Sequence, residues 1–258
     1  MRSKLVKNKL QNGELTVGTW ISLGNSAIAE ILANSGFDWI VIDLEHSVIS
    51  IEQAGDLIRT IDLSGTVPLV RLTSNQPDQI KRVMDSGAHG IVVPMVNSPE
   101  DATNAVLATR YGPNGNRGVG LARAQGYGFD FKKYLAWQKE GPIVIVQIEH
   151  IDALSQLESI MSVKGVDGYI IGPYDLSCSM GIPGDFGNPR FIETIETIKD
   201  AGLRMGCPSG LHIVEPDPLK LKESIESGFI FIAYSVDIRM LDTCARAGLE
   251  VVNGIKSR

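Results

Sequence analysis

Short runs rich in valine and isoleucine alternate along the chain with longer segments whose apolar residues recur at helical spacing, usually with a glycine before the next run. The runs predict strands at Thr16–Leu23, Trp39–Leu44, Pro68–Leu72, Gly90–Val96, Ile143–Ile148, Gly168–Gly172, Arg204–Cys207 and Phe229–Tyr234. The segments between them predict helices at Ser26–Asn34, Ile51–Ile61, Pro77–Asp85, Pro99–Arg110, Ile151–Met161, Pro189–Ala201, Leu219–Ser227 and Arg239–Lys256. A similar phrase recurs where four helices give way to strands: Ser35-Gly36-Phe37-Asp38, Ser86-Gly87-Ala88-His89, Lys164-Gly165-Val166-Asp167 and Ser227-Gly228-Phe229-Ile230. Glycine just past a helix suits the left-handed cap position, and strands apolar on both faces belong in a buried parallel sheet. Ser98-Pro99-Glu100-Asp101 and Asn188-Pro189 supply the matching start signal, a capping side chain before a first-turn proline. Eight β/α units over 258 residues predict one (β/α)8 TIM barrel spanning 1–258 rather than an open doubly wound sheet. No linker-like stretch divides it.

One segment breaks the alternation. Tyr111 to Asp130 carries Gly112, Gly115, Gly118, Gly120, Gly126 and Gly128, and a short extra helix, Phe131–Glu140, follows it. Gly118-Val119-Gly120 lacks the third glycine of a dinucleotide fingerprint, and no Gly-Lys-Ser/Thr follows as a P-loop requires. A long loop inside a compact domain is usually functional or disordered, so this one reads either as a mobile flap bringing Arg117 and Arg123 to the active site or as a floppy loop carrying two solvated arginines.

Composition narrows the partners. Lys+Arg number 24 against 30 Asp+Glu, a net charge of −6, which argues against the basic footprint of a nucleic-acid or anionic-membrane binder. Three widely spaced cysteines, Cys178, Cys207 and Cys244, form no Cys-x-x-Cys pair, so neither a disulfide framework nor a thiolate zinc site is indicated. With no stretch approaching the roughly 18 apolar residues of a membrane span, the expectation is a soluble cytoplasmic protein.

In a β/α barrel, chemistry gathers where strands end and βα loops begin. Asp43-Leu44-Glu45-His46 follows the second predicted strand, Arg71 ends the third, Gln147-Ile148-Glu149-His150 the fifth, Gly172-Pro173-Tyr174-Asp175 the sixth, and Ser235 and Asp237 the eighth. Glu149 and Asp175 end adjacent strands with hard oxygen donors, and no cluster of Cys or His competes, so Mg²⁺ or Mn²⁺ is the cation they suit. Each could instead cap the helix after it. His46 has acidic neighbours, Asp43 and Glu45, to orient it as a base. An inward guanidinium at Arg71 needs an anion, either a substrate oxygen or one of these acids. No lysine stands at a strand end, which removes Schiff-base aldolase chemistry, and no Gly-x-Ser-x-Gly elbow is present.

Asp43-Leu44-Glu45-His46, Val70-Arg71, Lys81-Arg82-Val83-Met84-Asp85-Ser86-Gly87, Arg117-Gly118-Val119-Gly120, Gln147-Ile148-Glu149, Gly172-Pro173-Tyr174-Asp175-Leu176-Ser177 and Pro208-Ser209-Gly210 together resemble the HpcH/HpaI family of class II, metal-dependent pyruvate aldolases. The resemblance runs from about Gly18 to about Asp237. It implies a barrel whose last helix exchanges between neighbours in a hexamer, a trimer of dimers. It implies Glu149 and Asp175 as ligands of a divalent metal, Arg71 on the pyruvate oxygen, His46 with Asp43 as the acid–base centre, Gln147 and the Gly172–Pro173–Tyr174 backbone as pyruvate contacts, and Asp85 reaching the site from an adjacent subunit. The implied reaction is retro-aldol cleavage of a 4-hydroxy-2-oxo acid to pyruvate and an aldehyde, or its reverse. Tyr174, His212 and the wording of Gly118–Asp130, with Arg123 in it, depart from the family pattern on the aldehyde side. The alternatives are a related citrate-forming or thioester lyase, and a non-catalytic barrel.

Overall fold

The computed structural model describes residues 2 to 256, so Met1, Ser257 and Arg258 lie outside the described residues. Eight parallel strands, β1 (Thr16–Ile21), β2 (Trp39–Asp43), β3 (Val67–Arg71), β4 (Gly90–Val93), β5 (Ile143–Ile148), β6 (Gly168–Ile171), β7 (Ser209–Ile213) and β8 (Phe231–Val236), pair in chain order, and β8 returns to β1. This is the expected closed (β/α)8 barrel. Alternate strand residues feed two apolar layers. Ile40, Ile42, Ile91, Val144 and Val146 pack outward against the helices, while Trp39, Val41, Leu69, Ile145 and Phe231 fill the interior. Trp39 and Phe231 stack at 4.0 Å. Gly18 makes room for them, since a Cβ there would lie 2.1 Å from the Trp39 ring.

Among the described residues no helix is long and apolar enough to cross a membrane. The helix Ser3–Gln11 was not legible in the sequence, where Lys4, Lys7 and Lys9 obscure its apolar face. It closes the N-terminal end of the barrel, burying Val6 and Leu10 against the interior layer. Lys7 is buried with them. Its Nζ donates to the carbonyls of Glu140 and Pro142, the latter at 2.8 Å, and pairs with Asp167 at 3.1 Å.

The seventh strand differs from expectation. Arg204 and Met205 belong to the helix Pro189–Met205, which ends on left-handed Gly206, and β7 begins only at Ser209. Gly202, inside that helix, is a packing residue, because a Cβ there would lie 2.5 Å from Tyr169 Cε1. The true strand, Ser-Gly-Leu-His-Ile, lacks a valine–isoleucine run, and its Gly210 fits against the carbonyls of Tyr169 and Phe231. His212 therefore lies within β7, not after it.

The loop arginines are not on a free flap. Arg117 is 4% exposed, packs 4.3 Å over the Tyr111 ring, and donates to the Thr109 carbonyl at 2.9 Å and the Tyr134 hydroxyl at 2.7 Å. Arg123 donates to Asp62 Oδ2 at 2.6 Å and the Ser86 carbonyl at 3.3 Å, while His89 sits 3.3 Å from the other Asp62 oxygen. Burial alone would raise the Asp62 pKa, but hydrogen bonds from His89 and Arg123, with their charges, hold it at about 2. A folded pKa below the ordinary value of 3.8 stabilises the protein fully above pH 4, and that contribution is lost as pH falls towards 2. Asp62→Asn should therefore cost up to about 2 kcal/mol at pH 7, with the gap to the wild type closing between pH 4 and 2 in urea titrations.

Candidate active site

At the C-terminal rim, Asp43 ends β2 beside Arg71 at the end of β3, in direct register. The pair is bidentate: Arg71 Nε donates to Asp43 Oδ1 at 2.9 Å and Nη2 to Oδ2 at 2.7 Å, while Nη1 lies 3.0 Å from Glu45 Oε2. Trp20 of β1 packs on the same guanidinium, 4.3 Å from ring centroid to Cζ. Burial works to raise the Asp43 pKa, but Arg71 outweighs it and holds this carboxyl below its usual range. Asp43 Oδ1 also accepts the backbone N–H groups of Glu45 and His46, at 3.0 and 3.3 Å. Asp43 therefore shapes the loop that carries His46 rather than orienting the imidazole as expected.

Glu149 follows β5 and is 2% exposed. One oxygen accepts the Met95 N–H at 2.6 Å and the other accepts from the Gln147 side-chain amide. Met95, at the end of β4, has φ of 52°, a left-handed conformation rare for a non-glycine residue, which aims its N–H at the carboxylate. Burial, with the nearby charges of Glu45 and Asp175, pushes the Glu149 pKa up to about 7. Burial likewise lifts Glu45 to about 7, with Asp43 and Asp175 adding to it against the pull of Arg71. Three carboxylates thus converge where the nearby guanidinium is already engaged, an arrangement a hard cation relieves. The amide oxygen of Gln147, buried beside them, has no partner among the described residues. Among the described residues no group of three or more His, Cys, Asp or Glu is placed to hold a metal ion, so a cation held by Glu149 and Asp175 alone would leave most of an octahedral shell to water and substrate.

A cavity of about 330 Å³ opens over this cluster, lined among others by Trp20, His46, Arg71, Gln147, Gly172, Pro173, Tyr174, Asp175 and His212. It gathers ten residues of the sequence-based set once Asp43 and Glu149, bonded to its walls, are counted with His46, Arg71, Gln147, Gly172, Pro173, Tyr174, Asp175 and His212. Two residues stand apart. Asp85 ends the helix Pro77–Asp85, and helix C-termini lie at the opposite face of a β/α barrel; its carboxylate is 3.8 Å from Arg117 Nη2. Arg123 shares that face with Asp62 and Ser86. Asp237 is also structural, accepting from the backbone N–H groups of Ser22 and Leu23. Sequence reasoning missed Trp20 and Met95. An inward tryptophan on β1 could have been suspected, whereas nothing in the sequence marks the Met95 backbone.

Gly172 is the tightest point of the wall. A Cβ there would lie 2.8 Å from Glu149 Oε2 and 3.1 Å from Gln147 Nε2. Gly172→Ala should displace the Glu149 carboxylate; on the metal role proposed below for Glu149, Mn²⁺ binding would weaken by about 10–100-fold in calorimetry, with the far-ultraviolet circular dichroism unchanged.

Residues 16–243 match the family described as HpcH/HpaI aldolase/citrate lyase. The chain belongs to this family. It is accordingly a carbon–carbon lyase. A 4-hydroxy-2-oxo-heptane-1,7-dioate aldolase from Salmonella paratyphi C is 39% identical over 246 residues, covering 93% of this chain and 91% of the relative. A crystal structure of a family protein from Burkholderia cenocepacia superposes with a TM-score of 0.91 at 32% identity, covering 96% of this chain and 99% of the other. A citrate synthase structure gives 0.85 at 26% identity, covering 98% and 99%.

Proposed function

We propose that this member of the family is a divalent-metal-dependent aldolase that cleaves or forms 4-hydroxy-2-oxo acids, with pyruvate and an aldehyde as the two halves. The observation that carries this reading is the meeting of Asp175 and Arg71 at one cavity, with Glu149 bonded to its wall through Gln147 and close enough to Asp175 for their charges to interact. A Mg²⁺ or Mn²⁺ ion held by Glu149 and Asp175 would supply Lewis acidity to the 2-oxo and carboxylate oxygens of the substrate. Arg71, fixed by Asp43, Glu45 and Trp20, presents its charge where negative charge develops as the C3–C4 bond breaks, and needs no reorganisation to do so. His46, on the cavity wall, takes the proton of the C4 hydroxyl. The C4 oxygen becomes the aldehyde carbonyl, the bonding pair passes to C3, and a proton delivered to C3 completes the pyruvate methyl group. The Gly172–Asp175 backbone lies along the side where the substrate carboxylate is placed.

Asp85 belongs to this site only across a subunit contact, so we take the working form to be a homo-oligomer, a hexamer with the last helix exchanged. A second reading, condensation onto a keto acid, is favoured by the likeness to a citrate synthase. Pyruvate release from a panel of 4-hydroxy-2-oxo acids, set beside citrate formation from oxaloacetate and an acetyl thioester, separates the two. Metal-dependent pyruvate release supports the aldolase, and citrate formation alone replaces it.

A further inference from the structure

We infer that His212 selects the aldehyde half of the substrate, favouring uncharged, hydroxyl-bearing aldehydes over those that end in a carboxylate. The inference rests on the aldolase reading and concerns the part of the cavity wall that β7 supplies.

The His212 ring lies flat on Trp20, with centroids 4.7 Å apart and planes 9° apart, and its Nε2 is 3.3 Å from the Ser235 carbonyl oxygen. A carbonyl only accepts, so Nε2 carries the proton and Nδ1 of the neutral ring is left as an acceptor. That tautomer is built in from behind. Ser235 has φ of 59°, its hydroxyl donates to the Val214 carbonyl at 2.9 Å, and it sits where the β1–β8 register shifts. Burial, reinforced by the charge of Arg71, lowers the His212 pKa to about 4, so the ring is neutral at working pH. Nδ1 has no hydrogen-bond partner among the described residues, nor is it among their sealed polar atoms, so it is open to the cavity that His212 lines.

A lone acceptor in a largely apolar wall is satisfied by a hydroxyl and repelled by a carboxylate. Beyond it a second space of about 320 Å³ shares Pro173, Tyr174, His212 and Val214 with the first. Its charged lining is Lys220 set against Glu215 and Glu223, which leaves no net positive charge to receive an anionic tail.

The test is kcat/KM for aldol addition of pyruvate to glycolaldehyde, to its isostere propanal and to succinic semialdehyde, each corrected for hydration. The wild type should favour glycolaldehyde over both by about tenfold. His212→Leu should bring the glycolaldehyde-to-propanal ratio to within about threefold of unity, while His212→Asn, whose amide oxygen can replace Nδ1, should retain the preference. No preference in the wild type, or one that survives His212→Leu, overturns the inference. Deuterium exchange into the pyruvate methyl group by the wild type, without aldehyde, reports on the aldolase reading separately. If exchange occurs and the preference does not, only the role of His212 fails; if metal-loaded protein neither exchanges nor cleaves, the underlying reading fails and takes the inference with it.

Discussion

Replacing Arg71 with alanine is expected to lower kcat by about 10²–10³-fold, the scale of losing one preorganised oxyanion donor. The loss should fall mainly on kcat rather than KM, because charge on the 2-oxo oxygen grows as the C3–C4 bond breaks. A second consequence compounds the first. Asp43 would lose both guanidinium hydrogen bonds and stay buried beside Glu45, so its depressed pKa would rise and the loop carrying His46 would loosen. Arg71→Lys should recover little, since an ammonium cannot reproduce the bidentate fork or the stacking on Trp20. Steady-state kinetics on a purified, metal-loaded variant checks this, and a kcat within tenfold of the wild type would remove Arg71 from the charge-stabilising role.

Lys7→Met should destabilise the fold by about 3–5 kcal/mol, because it strands a buried carboxylate without its partner. The Asp167 side chain is only 9% exposed, and burial already raises its pKa against the pull of Lys7. Its other oxygen accepts the Val144 N–H at 2.9 Å at the start of β5, so a protonated or displaced Asp167 would disturb strand pairing directly. The lost ammonium would also leave the Glu140 and Pro142 carbonyls without their donor. Adding Asp167→Asn should return part of the loss, since a neutral amide can still accept from Val144. Urea unfolding of the two variants measures it. A single-variant effect under about 1 kcal/mol would mean that the Ser3–Gln11 helix closes the barrel by apolar contact alone.

Much of the barrel was legible because its signals are local. Valine–isoleucine runs such as Ile143–Ile148, and capping residues such as Ser98 before Pro99, depend on only a few neighbours. β7 was missed because its residues are chosen by contacts distant in sequence: Gly210 by the Tyr169 and Phe231 backbones, and His212 by Trp20 and Ser235. The Ser3–Gln11 helix failed for the opposite reason, an amphipathic period hidden by the lysines, one of which proves to be buried. Placing acids at strand ends brought Asp43, Glu149 and Asp175 to one rim, yet the sequence could not say that Asp43 belongs to Arg71 rather than to the His46 ring. Arg117 and Arg123 were misread because a glycine-rich loop looks mobile until its anchors, Tyr134 and Asp62, are seen.

The central claim is that Glu149 and Asp175 hold a divalent cation that makes the pyruvate methyl group acidic. Protein stripped with chelator and exchanged into D₂O should leave the methyl signal of added pyruvate intact in proton NMR; Mg²⁺ or Mn²⁺ should restore exchange, and Glu149→Gln should abolish it. Exchange by the stripped protein at the full rate, or none after metal is restored, would contradict the assignment.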